Sequence, residues 1–171
     1  MVKVGDSIPN VELNEKDPGT KVNLAAEFGS DSGIIIGVPA AFSPTCSDAH
    51  VPGYIMHPKL SSAGKVFVIS VNDAFVYVSP ILVTSSRSFD SKLTALHNSM
   101  NAWGKSLDPE KKSGIRFLAD QGGDFTRAWD LEFPSAPVLG SNRSKRYAIV
   151  IKDGKVAEVN IEPDNTGATG M

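Results

Sequence analysis

The chain has 171 residues, 41% of them hydrophobic and 21% charged, and a formal net charge of −2. That profile belongs to a folded globular protein and excludes a disordered chain. No basic block stands out, which argues against a nucleic-acid groove or an anionic membrane surface, and the longest apolar run, residues 33–38, is too short to span a bilayer. A single domain over residues 1–171 is expected, one large enough to bury roughly 70% of the surface its unfolded chain exposes. The opening Met1-Val2-Lys3-Val4-Gly5-Asp6 has no apolar signal core.

In chain order, residues 21–24 read as a short strand and residues 25–28 as a turn of helix. Residues 33–38 form a continuous apolar run ended by Pro39, the pattern of a buried strand. A helix is expected from Asp48 to Ile55, kinked or restarted at Pro52-Gly53. Residues 65–71 form a second buried strand, and Asn72-Asp73 after it suits a helix N-cap. Residues 116–120 are a third strand and Asp124–Leu131 a short helix. Residues 146–151 and 155–161, around Asp153-Gly154, predict a β-hairpin. Strand–helix alternation ending in a hairpin points to an α/β fold with a mixed sheet. One stretch, Tyr77 to Ser99, is Ser/Thr-rich and has neither period. A structureless loop of that length is uncommon inside a compact domain.

Cys46 is the single cysteine, so an internal disulfide and a Cys-rich zinc site are both excluded for this chain. A lone thiol suits a reducing compartment, most simply the cytosol. Cys46 follows a buried strand and opens a helix, where a helix N-terminus stabilises a thiolate. Ser43 offers a hydroxyl three residues earlier, and Pro39 can wall the sulfur from water. His50, four residues on, invites a Cys–His hydrolase reading, but no Gly-rich oxyanion motif accompanies it. His57 and His97 have no partners for metal binding. Trp103 and Trp129 read as core or interface residues rather than stacking platforms, and Phe42 and Tyr54 as packing near the cysteine loop.

The pattern Pro39, Ser43, Cys46 resembles the Pro-x-x-x-Thr/Ser-x-x-Cys motif of peroxiredoxins. The longer run from Pro39 through Phe42-Ser43-Pro44-Thr45-Cys46-Ser47 to His50-Val51-Pro52-Gly53-Tyr54 is similar to type-five peroxiredoxins, in a flavour that includes fungal allergens. Gly5-Asp6-Ser7-Ile8-Pro9, Asn72-Asp73-Ala74-Phe75-Val76, Trp103-Gly104-Lys105, Lys145-Arg146-Tyr147 and Glu162-Pro163-Asp164 extend the resemblance over nearly the whole chain.

The resemblance implies a thioredoxin-like α/β fold, a central mixed sheet flanked by helices. It implies a thiol-dependent peroxidase that reduces hydrogen peroxide and alkyl hydroperoxides without cofactor or metal. Cys46 would be the peroxidatic nucleophile and Arg146 would stabilise its thiolate and bind the peroxide. Ser43 would hold the peroxide oxygens where the family usually has Thr, and Pro39 would shield the sulfur. A homodimer is implied, and a cytoplasmic location is expected, since no C-terminal Ser-Lys-Leu supports peroxisomal targeting.

Three departures qualify the picture. The chain has no resolving cysteine, so turnover would follow a one-cysteine route with glutathione, glutaredoxin or thioredoxin as reductant. The resemblance would expect the chain to continue beyond Met171 into a C-terminal helix covering the sheet. In the family, Asn-Asp-Ala-Phe-Val runs almost directly into the helix carrying Trp-Gly, so residues 77–99 look like a non-family insertion. Codons for Val76-Tyr77-Val78, Leu93-Thr94 and Asn98-Ser99 can spell a 5′ splice site, a branch point and a 3′ splice site, as a translated intron would. These departures leave an alternative of another class: a catalytically compromised redoxin-fold protein acting by binding, allergen-like or chaperone-like.

Overall fold

A computed structural model describes residues 1–74 and 100–167. The insertion read at 77–99 and the chain end beyond 167 lie outside the described residues. The strands are β1 (Glu12–Glu15), β2 (Lys21–Asn23), β3 (Gly33–Gly37), β4 (Lys65–Ser70), β5 (Arg116–Ala119), β6 (Glu132–Phe133), β7 (Arg143–Ser144), β8 (Tyr147–Lys152) and β9 (Lys155–Ile161). The α-helices are α1 (Leu24–Phe28), α2 (Val51–Ile55), α3 (Met100–Leu107), α4 (Asp124–Ala128) and α5 (Ala136–Leu139).

Seven strands form one mixed sheet in the order β2-β1-β5-β4-β3-β8-β9. β3, β4 and β5 are parallel at its centre, while β1–β2 and β8–β9 flank them antiparallel. Neighbouring side chains in a strand point to opposite faces, and both faces of the central strands are apolar. Ile35, Phe67, Ile69 and Ile149 join a core with Leu24, Phe28, Phe125 and Trp129. Ile36, Val66 and Val68 join a second core with Val51, Trp103 and Cys46. This is why the central strands read as unbroken apolar runs.

The expected hairpin is present: Asp153 and Gly154 both take positive φ, at 50° and 70°, as a tight two-residue turn requires. Gly37 closes β3 beneath the Tyr147 ring, and a Cβ there would lie 2.0 Å from a ring carbon. Only a glycine permits that approach.

Three expectations change. β1 was not foreseen; it is tied on by Arg116, whose guanidinium bonds Glu15 on β1 at 2.9–3.0 Å and Glu27 on α1 at 2.7 Å. The two-residue pair β6–β7 is too short to carry a period. Asn72 turns its side chain back to the strand and the cysteine loop: its Oδ1 accepts from the Ser70 hydroxyl at 2.6 Å and from the Ala41 N–H at 3.0 Å, while the helix read after it falls outside the described residues. Asn72 thereby fastens the end of β4 to the loop leading to Cys46. Beyond it, the N–H of Met100, first residue of α3, donates to the Asp73 carbonyl at 3.0 Å.

Candidate active site

Cys46 lies where β3 ends and the chain turns into a helix. Residues 44–45 make the first helical turn, Cys46–His50 forms a π-helical turn, and α2 follows. The wider turn has a local cause. Pro52 has no N–H to return to the Asp48 carbonyl, so an α-helical bond is lost there, and the preceding Val51 N–H reaches back five residues to the Cys46 carbonyl. The single expected helix over Asp48–Ile55 is thus two pieces that differ in pitch.

The loop before the cysteine is tightly held. Pro39 is buried and Ser43 half-buried. Phe42 adopts a left-handed φ of 59°, a conformation costing a non-glycine residue roughly 1–2 kcal/mol. The Ser43 hydroxyl donates to the Ala40 carbonyl at 3.0 Å, so its oxygen faces any ligand only as an acceptor. On the other side, the Trp103 indole N–H donates to the Ser47 hydroxyl at 3.0 Å, tying α3 to the cysteine helix.

Arg146 directly precedes β8 and is 1% exposed, and Cys46 is fully buried. The guanidinium Nη2 donates to Cys46 Sγ at 3.4 Å, across 100 residues of sequence. Nη2 and Nε also donate to the Thr166 carbonyl, at 2.9 and 3.2 Å. Nη1 lies 2.8 Å from His50 Nδ1. The turn carrying Thr166 is fixed in place by backbone bonds from Arg146 N–H to the Asn165 carbonyl and from Glu162 N–H to the Arg146 carbonyl.

His50 is held down to about 4 from an ordinary 6.5, first by burial and then by the Arg146 charge, with Glu162 opposing. It therefore stays neutral at physiological pH. Its ring stacks edge-on against Tyr54, with centroids 5.4 Å apart, and burial pushes the Tyr54 hydroxyl upward. Because His50 engages Arg146, the Cys–His hydrolase geometry is not formed.

The structure thus joins Cys46 and Arg146 directly and sets Ser43 and Pro39 in the loop beside them. Sequence reading did not assign His50 to Arg146, nor Asn72 to the loop, nor Thr166 to the guanidinium. The first two are polar residues buried to 7% exposure, a pattern visible only after folding. The third acts through a carbonyl that any residue would supply. Trp103 and Trp129 are core residues, as expected.

The Redoxin family model matches residues 3–170. The chain belongs to the redoxin family. It is 40% identical to Peroxisomal membrane associated protein 20 of Schizosaccharomyces pombe, over 97% of this chain and 91% of that protein. It is 34% identical to Peroxiredoxin-2C of Oryza sativa, over 94% of this chain and 88% of that protein. The crystal structure of peroxiredoxin 5 from Alvinella pompejana superposes with a TM-score of 0.75 at 37% identity, covering 97% of this chain and 93% of that one. This redoxin is a type-five peroxiredoxin with a thioredoxin-like α/β fold, and hence a thiol peroxidase. Peroxiredoxins need no prosthetic group. Among the described residues no helix is long and apolar enough to cross a membrane.

Proposed function

We propose that Cys46 is the peroxidatic nucleophile of this enzyme and that Arg146, Ser43 and Pro39 complete its site. The observation carrying this reading is the 3.4 Å contact between a buried sulfur and a buried guanidinium. In a low-dielectric surround a fixed cation favours the anionic form of its neighbour, and the thiolate is the nucleophile.

The thiolate attacks the terminal oxygen of hydrogen peroxide or an alkyl hydroperoxide. The S–O bond forms as the O–O bond breaks, sulfur is oxidised to sulfenic acid, and the leaving alkoxide or hydroxide takes up the proton released when the thiol ionised. Arg146 and the Cys46 N–H, in the first helical turn, stabilise the negative charge that grows on the oxygens. Ser43 accepts the peroxide O–H, since its own proton is committed to Ala40. Pro39 keeps bulk water off the sulfur.

With no second cysteine in the chain, an external thiol attacks the sulfenic acid and releases water. A second thiol equivalent then breaks the mixed disulfide and returns Cys46. Glutathione, glutaredoxin or thioredoxin supplies these equivalents. The enzyme works in a reducing compartment, the cytosol, as a homodimer. The exposed Val138 on α5 supports a contact near the active-site end of the sheet. α5 is tied to that end through Arg143, which bonds the Leu139 and Val71 carbonyls.

Cys46→Ser tests the reading. Peroxide consumption in the presence of each reductant should vanish, while circular dichroism remains that of the unmodified chain. Turnover that survives the substitution would refute the mechanism.

A further inference from the structure

We infer that His50 is a positioning residue: a neutral imidazole whose Nδ1 lone pair holds the Arg146 guanidinium against the Cys46 sulfur. The inference rests on the proposed role of Arg146. Arginine has only donors, so in the 2.8 Å pair His50 Nδ1 must be the acceptor. The ring proton therefore sits on Nε2. That nitrogen is buried and has no hydrogen-bond partner among the described residues.

A buried donor without a partner is destabilising, so a histidine serving only to fill space here would be disfavoured against an apolar residue. The cost is offset at the other nitrogen. The opposite tautomer would set an N–H against the N–H of Arg146, and an imidazolium would set two cations together.

The guanidinium needs this second anchor. The Thr166 carbonyl holds Nε and Nη2 through one oxygen atom, and a planar group gripped at one point can swing about it. His50 grips Nη1, at the far side of the fork. Two anchors on opposite edges define the plane, and that plane carries Nη2 to the sulfur. The other charged or titratable groups around His50 are consistent with a neutral ring. Cys46 lies one turn before it, Tyr54 stacks on it, and Glu162, buried at 2% exposure, acts electrostatically on it in the direction opposite to Arg146.

The test compares His50→Leu, His50→Asn and His50→Gln in the full chain. Two measurements are made: the rate at which hydrogen peroxide consumes the Cys46 thiol, and the pH midpoint of iodoacetamide alkylation. An Asn side-chain oxygen falls where Nδ1 lies, and a Gln oxygen falls nearer Nε2. His50→Leu should slow peroxide consumption roughly 10- to 100-fold, the effect of small misplacement in a catalytic array, and should raise the alkylation midpoint. His50→Asn should recover most of both losses, and His50→Gln should not. A leucine variant with unchanged rate and midpoint would overturn the inference, as would Asn and Gln variants equal to each other. If His50→Leu fails to fold, the Asn–Gln pair decides alone by the same criterion. A wild-type chain that consumes no peroxide yet alkylates in the His50-dependent manner would refute the peroxidase reading and leave this inference standing.

Discussion

Excision of Tyr77–Ser99 should stabilise the protein, and the structure says by what route. Without that segment Met100 becomes the fourth residue after Asp73. The Met100 N–H already donates to the Asp73 carbonyl at 3.0 Å, which is the bond an α-helix makes between residues four apart. The flanks are therefore in helical register, and a shortened chain should run from Asp73 through α3 without moving Trp103. An insertion of about twenty residues between two fixed points of the chain costs roughly 2.5–3 kcal/mol in closure entropy, a cost that excision removes. With a urea slope of about 2 kcal/mol per molar, the unfolding midpoint should rise by roughly 1.3–1.5 M. Paired urea titrations, followed by tryptophan fluorescence, measure this. Trp103 is buried and bonded to Ser47, so its emission in the folded state should be unchanged. A lower midpoint after excision, or a shifted folded-state emission, would refute the reasoning and make residues 77–99 part of the working fold.

Arg146→Ala should slow Cys46 oxidation roughly 100- to 1,000-fold, the loss seen when one oxyanion donor is removed. Lysine at that position should not restore it, because an ammonium lacks the planar fork that meets Cys46, His50 and Thr166 together; stopped-flow peroxide kinetics read both. For His50 the sign follows from its direction: the folded-state value is depressed to about 4 from 6.5, so the unfolded chain binds the extra proton between those values. That stability is intact above pH 6.5 and falls as pH drops toward 4, by up to about 3 kcal/mol. Urea titrations across this window should show His50→Asn losing less than the unmodified chain, and parallel curves would show the ring is already charged in the fold. Gly37→Ala should cost roughly 1–3 kcal/mol by overpacking, because its Cβ would meet the Tyr147 ring at 2.0 Å; a melting temperature unchanged by the substitution would contradict that contact.

The sequence was most readable where one physical demand dominates a stretch of chain. β3 and β4 are buried on both faces and so appear as apolar runs, and the Asp153-Gly154 turn has a backbone need that few residue pairs meet. β1 escaped notice because three of the four residues of Glu12–Glu15 are polar, and its place depends on Arg116, 101 residues away from Glu15. Asn72 suits an N-cap by composition, and it was the tertiary approach of Ala41 that claimed its side chain. At the candidate site, Pro39, Ser43 and Cys46 form a local motif, and Arg146 could be linked to them only through family resemblance. His50 sits four residues from Cys46, so proximity suggested a pair with sulfur. The fold instead brought Arg146 between them from 96 residues away in the chain.

That separation has a consequence for the newly made protein. The contact between Cys46 and Arg146 spans 100 residues, and a ribosome adding about 5–20 residues per second needs roughly 5–20 s to cover it. Throughout that interval the nascent chain exposes a cysteine with no guanidinium beside it. The partners of that guanidinium, His50 and the Thr166 carbonyl, also lie far apart in the sequence. On the proposed mechanism, the contact that would make Cys46 reactive toward oxidants forms only once β8 has joined β3. An unfinished or misfolded copy lacks that contact, and assembly of the sheet is the event that makes it.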